Sequence, residues 1–410
     1  MNALTLAWRA LRHTPLASSL NLLLVAIGIA MMTFILGVSA QLEEHAERDA
    51  RGIDLVVGAK GSPLQLILSS VYHADIPTGN IPAGALATLA AQPLVKSVIP
   101  LALGDNFHGF RIVGSTTALA GHYGARLAQG RLFGHPMQAV FGARAARETG
   151  ATLGATFAGS HGLAPGGELH GHAPYTVVGI LQPTGTVLDR LILTPVASVW
   201  QVHETDPDQQ PAAATAATAT ATATAAAADA AASGRELTAV LVQYASPLAV
   251  VYLPRWVNGQ ARLQAAQPAF EAARLFNLLG AGIDVLRAIA AGVLLVAALS
   301  LFVALYGALE ERKWDLAILR TLGASPATLL RLLLAQGLLL SLAGAALGWL
   351  LGHAAVGLLD AMQQLNLQAW RIVPGEAWLP VIAVAVGLLA AAIPAARAYR
   401  TDIAATLARP

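Results

Sequence analysis

The chain of 410 residues contains no cysteine, and only 12% of its residues are charged. The first absence excludes disulfides, thiolate zinc sites and cysteine nucleophiles, and it says nothing about compartment. The second absence is more informative. A typical soluble domain carries about 25% charged and roughly 45–50% apolar residues, whereas AVILMFWYC here make up 56%. Too little polar surface remains to solvate a globule of this size, so part of the chain must face lipid. The formal net charge of +2 is too weak a field to suggest a nucleic-acid partner. Lysine is scarce too. Lys60, Lys96 and Lys313 are the only three, and none stands in the Gly-Lys-Ser/Thr order that a phosphate-binding loop needs. Any ATP-driven work therefore falls to another chain. No His-Glu-x-x-His or Gly-x-Ser-x-Gly pattern is present, so the sequence offers no hydrolase site and no catalytic residue.

The apolar residues are concentrated in windows of about 20, the length that crosses a bilayer. Leu20–Ala40, Ala288–Leu309 and Ala377–Ala396 carry no charge, and Leu332–Leu359 carries only His353. The sequence therefore predicts an integral membrane α-helical protein of four transmembrane helices, with a large mixed α/β extracytoplasmic domain between helices 1 and 2. The expected boundaries are a cytoplasmic segment at 1–18, helix 1 at 19–41, the external domain at 42–283 and a membrane domain at 284–410. The later helices fall at about 286–309, 329–359 and 377–396. Arg9 and Arg12, then Arg312, Lys313, Arg320 and Arg331, then Arg397, Arg400 and Arg409 flank the spans on one side, against only Arg371 between the last two spans. The positive-inside rule places both termini and the 310–331 loop in the cytoplasm and the insert outside. Val38-Ser39-Ala40 resembles a signal-peptidase site, but the apolar stretch is longer than a signal h-region, which favours a retained helix. His353 sits near the outer end of its span, where a satisfied interfacial histidine is expected rather than a relay. The same span carries Gly337, Gly344, Gly348 and Gly352, the last three at four-residue spacing, which lets helix backbones approach closely. That seam could lie within one chain or between two copies.

The insert reads as short β-branched runs bounded by Gly or Pro: 53–57, 110–113, 175–181, 190–193 and 237–242. Helical windows are expected at 82–91, 137–149 and 267–281, with a stalk continuing from helix 1 through Gln41 to Arg51. Residues 211–232 form a low-complexity Ala/Thr tract with nothing large to bury, read as a linker. Asp54 to Gln65 superficially suggests a phosphate loop, but Lys60 precedes Gly61-Ser62 in the wrong order, so a strand ending in a Gly-rich turn is the reading. His161, His170 and His172 come nearest to a metal cluster. Their segment is glycine-rich and no carboxylate pattern completes it, so a solvated loop is expected and no metal or cofactor is assigned.

The most specific feature joins the second and third spans: Glu310, Glu311, Arg312, Lys313, Trp314, Asp315, Leu316, Ala317, Ile318, Leu319, Arg320, Thr321, Leu322 and Gly323. Trp314, Ala317, Ile318, Thr321 and Leu322 share one helical face, and most charges lie elsewhere. Gly323 can end this helix. Ser325-Pro326 then supplies an N-cap and first residue for the next. A short amphipathic helix between two membrane helices lies on the membrane surface or docks into a partner's groove.

This loop resembles the FtsX-like permease family, in which the second span is followed by a charged helix reading roughly ER..E.AILR.LGAS. Glu311-Arg312 and Ala317 through Ser325 match, and Asp315 stands where the family usually has Glu. Ile393-Pro394-Ala395-Ala396-Arg397-Ala398-Tyr399-Arg400 resembles the family's ending. Ala139-Val140-Phe141-Gly142, Thr149-Gly150, Leu153-Gly154 and Val177–Leu181 are similar to the MacB-type periplasmic core domain. The resemblance implies a non-catalytic permease subunit in a bacterial plasma membrane, working as a dimer or with a homologue. It implies a separate ABC-type ATPase that holds the ATP and Mg, with 310–323 as the coupling helix. Membrane lipid and a periplasmic adaptor or lipoprotein are further expected partners. An FtsX-type regulator of envelope hydrolases is the alternative, against which the long insert argues. A ligand sensor is the other, and it lacks an output domain.

Overall fold

In a computed structural model of the chain, residues 3–162, 173–204, 234–311, 325–363 and 365–400 are described. They fall into two compact units, Met1–Glu43 with Leu278–Pro410, and Glu44–Asn277.

The first unit is all helical. Ala3–His13 precedes three long helices, Pro15–Ala50, Pro268–Glu311 and Pro326–Gln363, and a fourth at Leu379–Arg400. Four segments are long and apolar enough to cross a membrane: Pro15–Ala50, Pro268–Glu311, Leu330–Gln363 and Pro374–Arg397. The 11-residue helix Ala3–His13 was not foreseen from the sequence. Its Arg9 and Arg12 contributed only to the charge count, and its apolar residues are too few to resemble a span. Inside the unit Val25 and Ile29 of the first long helix pack with Leu294 and Ala297 of the second, Ala345 of the third and Ala383 of the fourth. The outward faces are apolar as well, with Leu295, Leu299 and Val303 well exposed. A helix apolar on all sides is what lipid requires.

The second unit is built on a mixed sheet. Its strands are β1 (Leu55–Ala59), β2 (Ile81–Pro82), β3 (Val95–Phe107), β4 (Phe110–Ser115), β5 (Leu127–Gly130), β6 (Gln138–Phe141), β7 (Thr156–Phe157), β8 (Ser160–His161), β9 (Tyr175–Leu181), β10 (Leu191–Pro195), β11 (Glu236–Leu237), β12 (Ala239–Tyr244) and β13 (Leu263–Ala266). The main order is β13-β1-β12-β3-β4-β10-β6-β9-β5, with β7 on β9 and β8 on β3. The β4–β10 and β6–β9 pairs are parallel, and the others in that order are antiparallel. Helices cover both faces of the central strands, which explains why β1, β10 and β12 are apolar along most of their length rather than alternating. In β1, Val56 enters one core with Leu66, Leu101 and Leu241. Its neighbours Leu55 and Val57 enter another with Leu89, Leu253 and Val257.

Three elements differ from the sequence expectation. The helix expected at 137–149 is β6 followed by a helix only at Ala143–Thr149. Residues 138–141 are claimed by parallel pairing to β9 and antiparallel pairing to β10, and Gly142 marks the break. A Cβ at Gly142 would meet the Leu188 carbonyl oxygen. The 13-residue strand β3 was not foreseen, because Pro100 and Gly104 interrupt its pattern. The run 237–242 is divided at Thr238, whose hydroxyl accepts from the Leu103 backbone N–H at 2.9 Å. The turn after β1 leads into a helix at Pro63–Ser70, capped by Ser62 Oγ, which accepts from Gln65 N at 3.4 Å. That is a structural turn with an N-cap.

Within this unit the end of the first long helix is tied to the loop before β10. Arg48 Nη1 donates to the Gly185 carbonyl at 2.9 Å, and Tyr123 Oη donates to the Asp49 carbonyl at 2.8 Å. Asp49 Oδ1 accepts from Val187 N at 2.7 Å. The loop is pre-shaped by Asp189, which accepts from Thr184 N, Thr184 Oγ1 and Gly185 N at 2.8–2.9 Å. Asp49 lies beyond the 20–40 apolar window, buried in this unit. Burial raises its carboxyl to about 6, against the opposing pull of Val187 N–H, Arg190 and Arg48. An acid whose pKa is higher folded than unfolded loses stability as pH rises from about 4 to 6. Asp49→Asn keeps the acceptor and removes the buried charge. The variant is expected to match the parent near pH 4 and to exceed it above pH 6 by up to about 3 kcal/mol. His73, pushed down to about 3 by burial and by Arg111 and Arg190, has the opposite slope. The difference between variant and parent, followed by thermal unfolding across pH 4–8, isolates Asp49. A variant less stable than the parent at pH 8 would contradict the assignment.

Candidate functional site

The segment singled out by the sequence begins on the last turn of the second long helix, where Glu310 and Glu311 close Pro268–Glu311. Residues 312–323, including Arg312, Lys313, Trp314, Asp315, Leu316, Ala317, Ile318, Leu319, Arg320, Thr321, Leu322 and Gly323, lie outside the described residues, as do the 211–232 tract, His170 and His172. On the far side the chain resumes at Ser325, whose carbonyl accepts from Thr328 N at 2.9 Å, and Pro326 opens the third long helix. Proline fits there because the first turn's N–H groups have no intrahelical partners.

Beside these helix ends lies a cavity of about 230 Å³, reached by Thr14, Ser18, Asn21, Glu311 and Gln336. Asn21 and Gln336 are buried, and Asn21 Nδ2 donates to the Ala17 carbonyl at 2.8 Å. At the fourth helix, Arg397 donates to Tyr306 Oη and lies 5.1 Å over its ring.

The glycine stripe faces helices of its own chain. A Cβ at Gly344 would stand 2.8 Å from Val25 Cβ and 3.0 Å from the Leu22 carbonyl oxygen. At Gly348 it would meet the Ala26 carbonyl oxygen, and at Gly352 it would stand 2.6 Å from Thr33 Cβ. Gly337 faces the fourth helix, with the Gly387 carbonyl oxygen 2.6 Å from the position a Cβ would take. The four-residue spacing therefore lets the third helix lie backbone-to-backbone against the first, over residues 22–33.

At the other end of the third helix His353 and Glu376 form a buried pair that the sequence did not reveal. Their Nε2 and Oε2 atoms are 3.1 Å apart, and the residues are only 1% and 4% exposed. His353 Nδ1 is 2.7 Å from the Ala369 carbonyl oxygen, an acceptor only, so Nδ1 carries a proton. Trp349 Nε1 donates to the same Oε2 at 2.8 Å, and Val373 N donates to Oε1 at 3.1 Å. The Trp370 ring stacks over His353 at 5.6 Å. Gln41 of the first helix exchanges hydrogen bonds with the Gln368 backbone at 2.7 and 3.3 Å. The segment between the last two spans is thereby fastened to the first and third helices. Sequence identified His353 as satisfied but named no partner, because Glu376 lies 23 residues away.

In the second unit, His161 Nδ1 lies 3.3 Å from Asp105 Oδ1, and its ring stacks on His203 at 5.1 Å. Stacked rings do not converge on a common point. Among the described residues no group of three His, Cys, Asp or Glu could hold a metal ion.

Four helices of spanning length, with a mixed α/β unit after the first, define a polytopic membrane protein carrying one large inserted domain. Two family models cover most of it. The FtsX-like permease C-terminal model matches residues 287–403, and the MacB-like periplasmic core domain model matches residues 18–235. The chain belongs to the FtsX-like permeases with a MacB-like periplasmic core domain, a family of ABC-transporter permeases that work with ABC ATPase partners. It is similar to the periplasmic region of MacB from Actinobacillus actinomycetemcomitans at 14% identity and a TM-score of 0.34, over 56% of this chain and 96% of that one. It is also similar to the extracellular domain of the noncanonic ABC-type transporter YknZ from Gram-positive bacteria, at 14% identity and a TM-score of 0.32, over 52% and 99%. No curated protein matches it.

Proposed function

We propose that this chain is the permease subunit of an ABC transporter in a bacterial plasma membrane, coupling ATP hydrolysis on a separate ATPase to movements of its extracytoplasmic domain. The match of 287–403 to the permease model carries the reading, because it brackets the 310–323 segment between two spanning helices. Closure of the ATPase pushes on Trp314, Ile318 and their neighbours. The helices shift, and that shift drives the extracytoplasmic domain. The cargo class is a lipoprotein, a lipid or a periplasmic molecule, and a second permease copy or homologue completes the complex.

Close packing supports transmission of motion rather than conduction. Ion routes use intramembrane ionisable groups, and His353 is engaged on both ring nitrogens. If the reconstituted permease–ATPase complex passed ions or small polar solutes, this reading would fail. Orientation is testable directly, since the chain has no cysteine. Thr220→Cys is expected to react with an impermeant maleimide added outside intact spheroplasts, and Ala327→Cys only after lysis. The reverse pattern would invert the topology.

A further inference from the structure

Between the third and fourth spans, at the end nearest the 365–378 segment, lies an open groove of about 770 Å³. Leu342, Ala346, Leu350, Ile372 and Pro380 line it, and all five are exposed. Trp349 and Glu376 form part of its wall, but their polar atoms are turned to one another and to His353 and Val373. The lining side chains therefore offer an entering molecule no unmet hydrogen-bonding group. Two tryptophans at the same end, Trp370 and Trp378, are 62% and 67% exposed, as expected of rings seated at a membrane interface. They put the groove just below that interface, in hydrocarbon, where a void cannot be filled by water without unmet hydrogen bonds.

We propose that this groove is a binding site for the acyl chain of a membrane phospholipid. The inference rests on the chain spanning a membrane and does not depend on the coupling reading. Size agrees with it. An apolar cavity of about 150 Å³ holds one benzene, so the groove takes roughly 30 carbon atoms by that ratio, the content of one or two acyl chains. Chemistry agrees too, because an apolar site without polar handles selects a chain rather than a headgroup. The bound lipid covers apolar surface on both helices and wedges against the wall that the His353–Glu376 pair holds in place. Occupancy by this lipid differs from general solvation by the bilayer, since the groove walls hold it on two sides.

The test uses the full-length protein in nanodiscs of phosphatidylethanolamine and phosphatidylglycerol, doped with a phospholipid bearing a mid-chain diazirine. After irradiation, labelled peptides are mapped by mass spectrometry. Adducts on residues 342–350 and 372–380 are expected at fivefold or more the density found on the exposed second-span surface at Leu295, Leu299 and Val303. Ala346→Trp, which fills the groove, is expected to cut groove labelling at least fivefold and leave the second span unchanged. Leu342→Trp serves as a second filling variant should the first not fold. Equal labelling of groove and second span, or groove labelling unaffected by a folded filling variant, would overturn the proposal. So would capture of a second copy of the chain, instead of lipid, by a photoreactive residue replacing Ala346.

Discussion

Replacing Glu376 by Ala is expected to lower the apparent melting temperature of the full chain in detergent by ~10 °C or more. Removing one partner of a buried pair strands the other, which costs about 3–5 kcal/mol. For a unit of this size each kcal/mol moves the midpoint by about 2–4 °C. Three groups lose their acceptor at once: His353 Nε2, Trp349 Nε1 and the Val373 amide. His353→Ala is expected to cost a comparable amount, because it leaves the carboxyl oxygen facing an apolar void. The double variant is expected to fall well short of the sum, since neither residue is then stranded by loss of the other. Limited proteolysis supplies a second readout. The 365–378 segment should be cut faster in both single variants, while the Glu44–Asn277 unit keeps its pattern. Additive losses would show that the two residues act independently and that the 3.1 Å contact contributes nothing.

The second large effect concerns the glycine stripe. Gly348→Ala is expected to destabilise the helical unit by up to about 2 kcal/mol, although alanine favours a helix over glycine by about 1 kcal/mol. The added methyl would meet the Ala26 carbonyl oxygen and lie 2.9 Å from Ile29 Cβ. That carbonyl belongs to the first helix's own hydrogen-bond ladder and has no freedom to move aside. Overpacking of this kind costs about 1–3 kcal/mol. Gly292→Ala is the contrasting case, because nothing lies within 4 Å of the position its Cβ would take. It should be neutral or slightly stabilising. Melting temperature and the monodisperse fraction on gel filtration distinguish the two variants. Equal behaviour of Gly348→Ala and Gly292→Ala would deny the third helix its close seat on the first. A marked loss in Gly292→Ala alone would place a second chain against the second span.

The membrane helices were legible because they depend on composition alone, and a charge-free window of 20 residues has few other uses. Ser325-Pro326 was legible for the same kind of reason: a local rule fixes it, and no distant partner is involved. The glycine spacing announced close helix contact, but not which helix, since a stripe at four-residue intervals fits any small-residue neighbour. Where the outcome depended on tertiary partners, the sequence misled or was silent. Gln138-Ala139-Val140-Phe141 is a short apolar run that suits a helix or a strand equally, and β9 and β10 decide it by pairing. Val95–Phe107 looked broken at Pro100, yet Pro100 holds its place in the ladder opposite Val240, and its carbonyl accepts from Ser115 Oγ at 2.7 Å. Glu376 sits in a segment that reads as a connection, and only folding carries it into the wall beside His353.

If residues 310–323 receive the push of an ATPase on another chain, hydrolysis by that ATPase depends on them. The direct test is ATP hydrolysis by the co-purified permease–ATPase complex, comparing the parent with the Trp314→Asp, Ile318→Asp double variant. Helical spacing in the sequence assigns both residues to one apolar face, and a carboxylate docked there against a partner would be buried without a counter-charge. The expected result is loss of association, or retained association with hydrolysis no longer altered by the permease, while the double variant still folds and inserts. A double variant that binds the ATPase and stimulates it as the parent does would place the coupling surface outside residues 310–323.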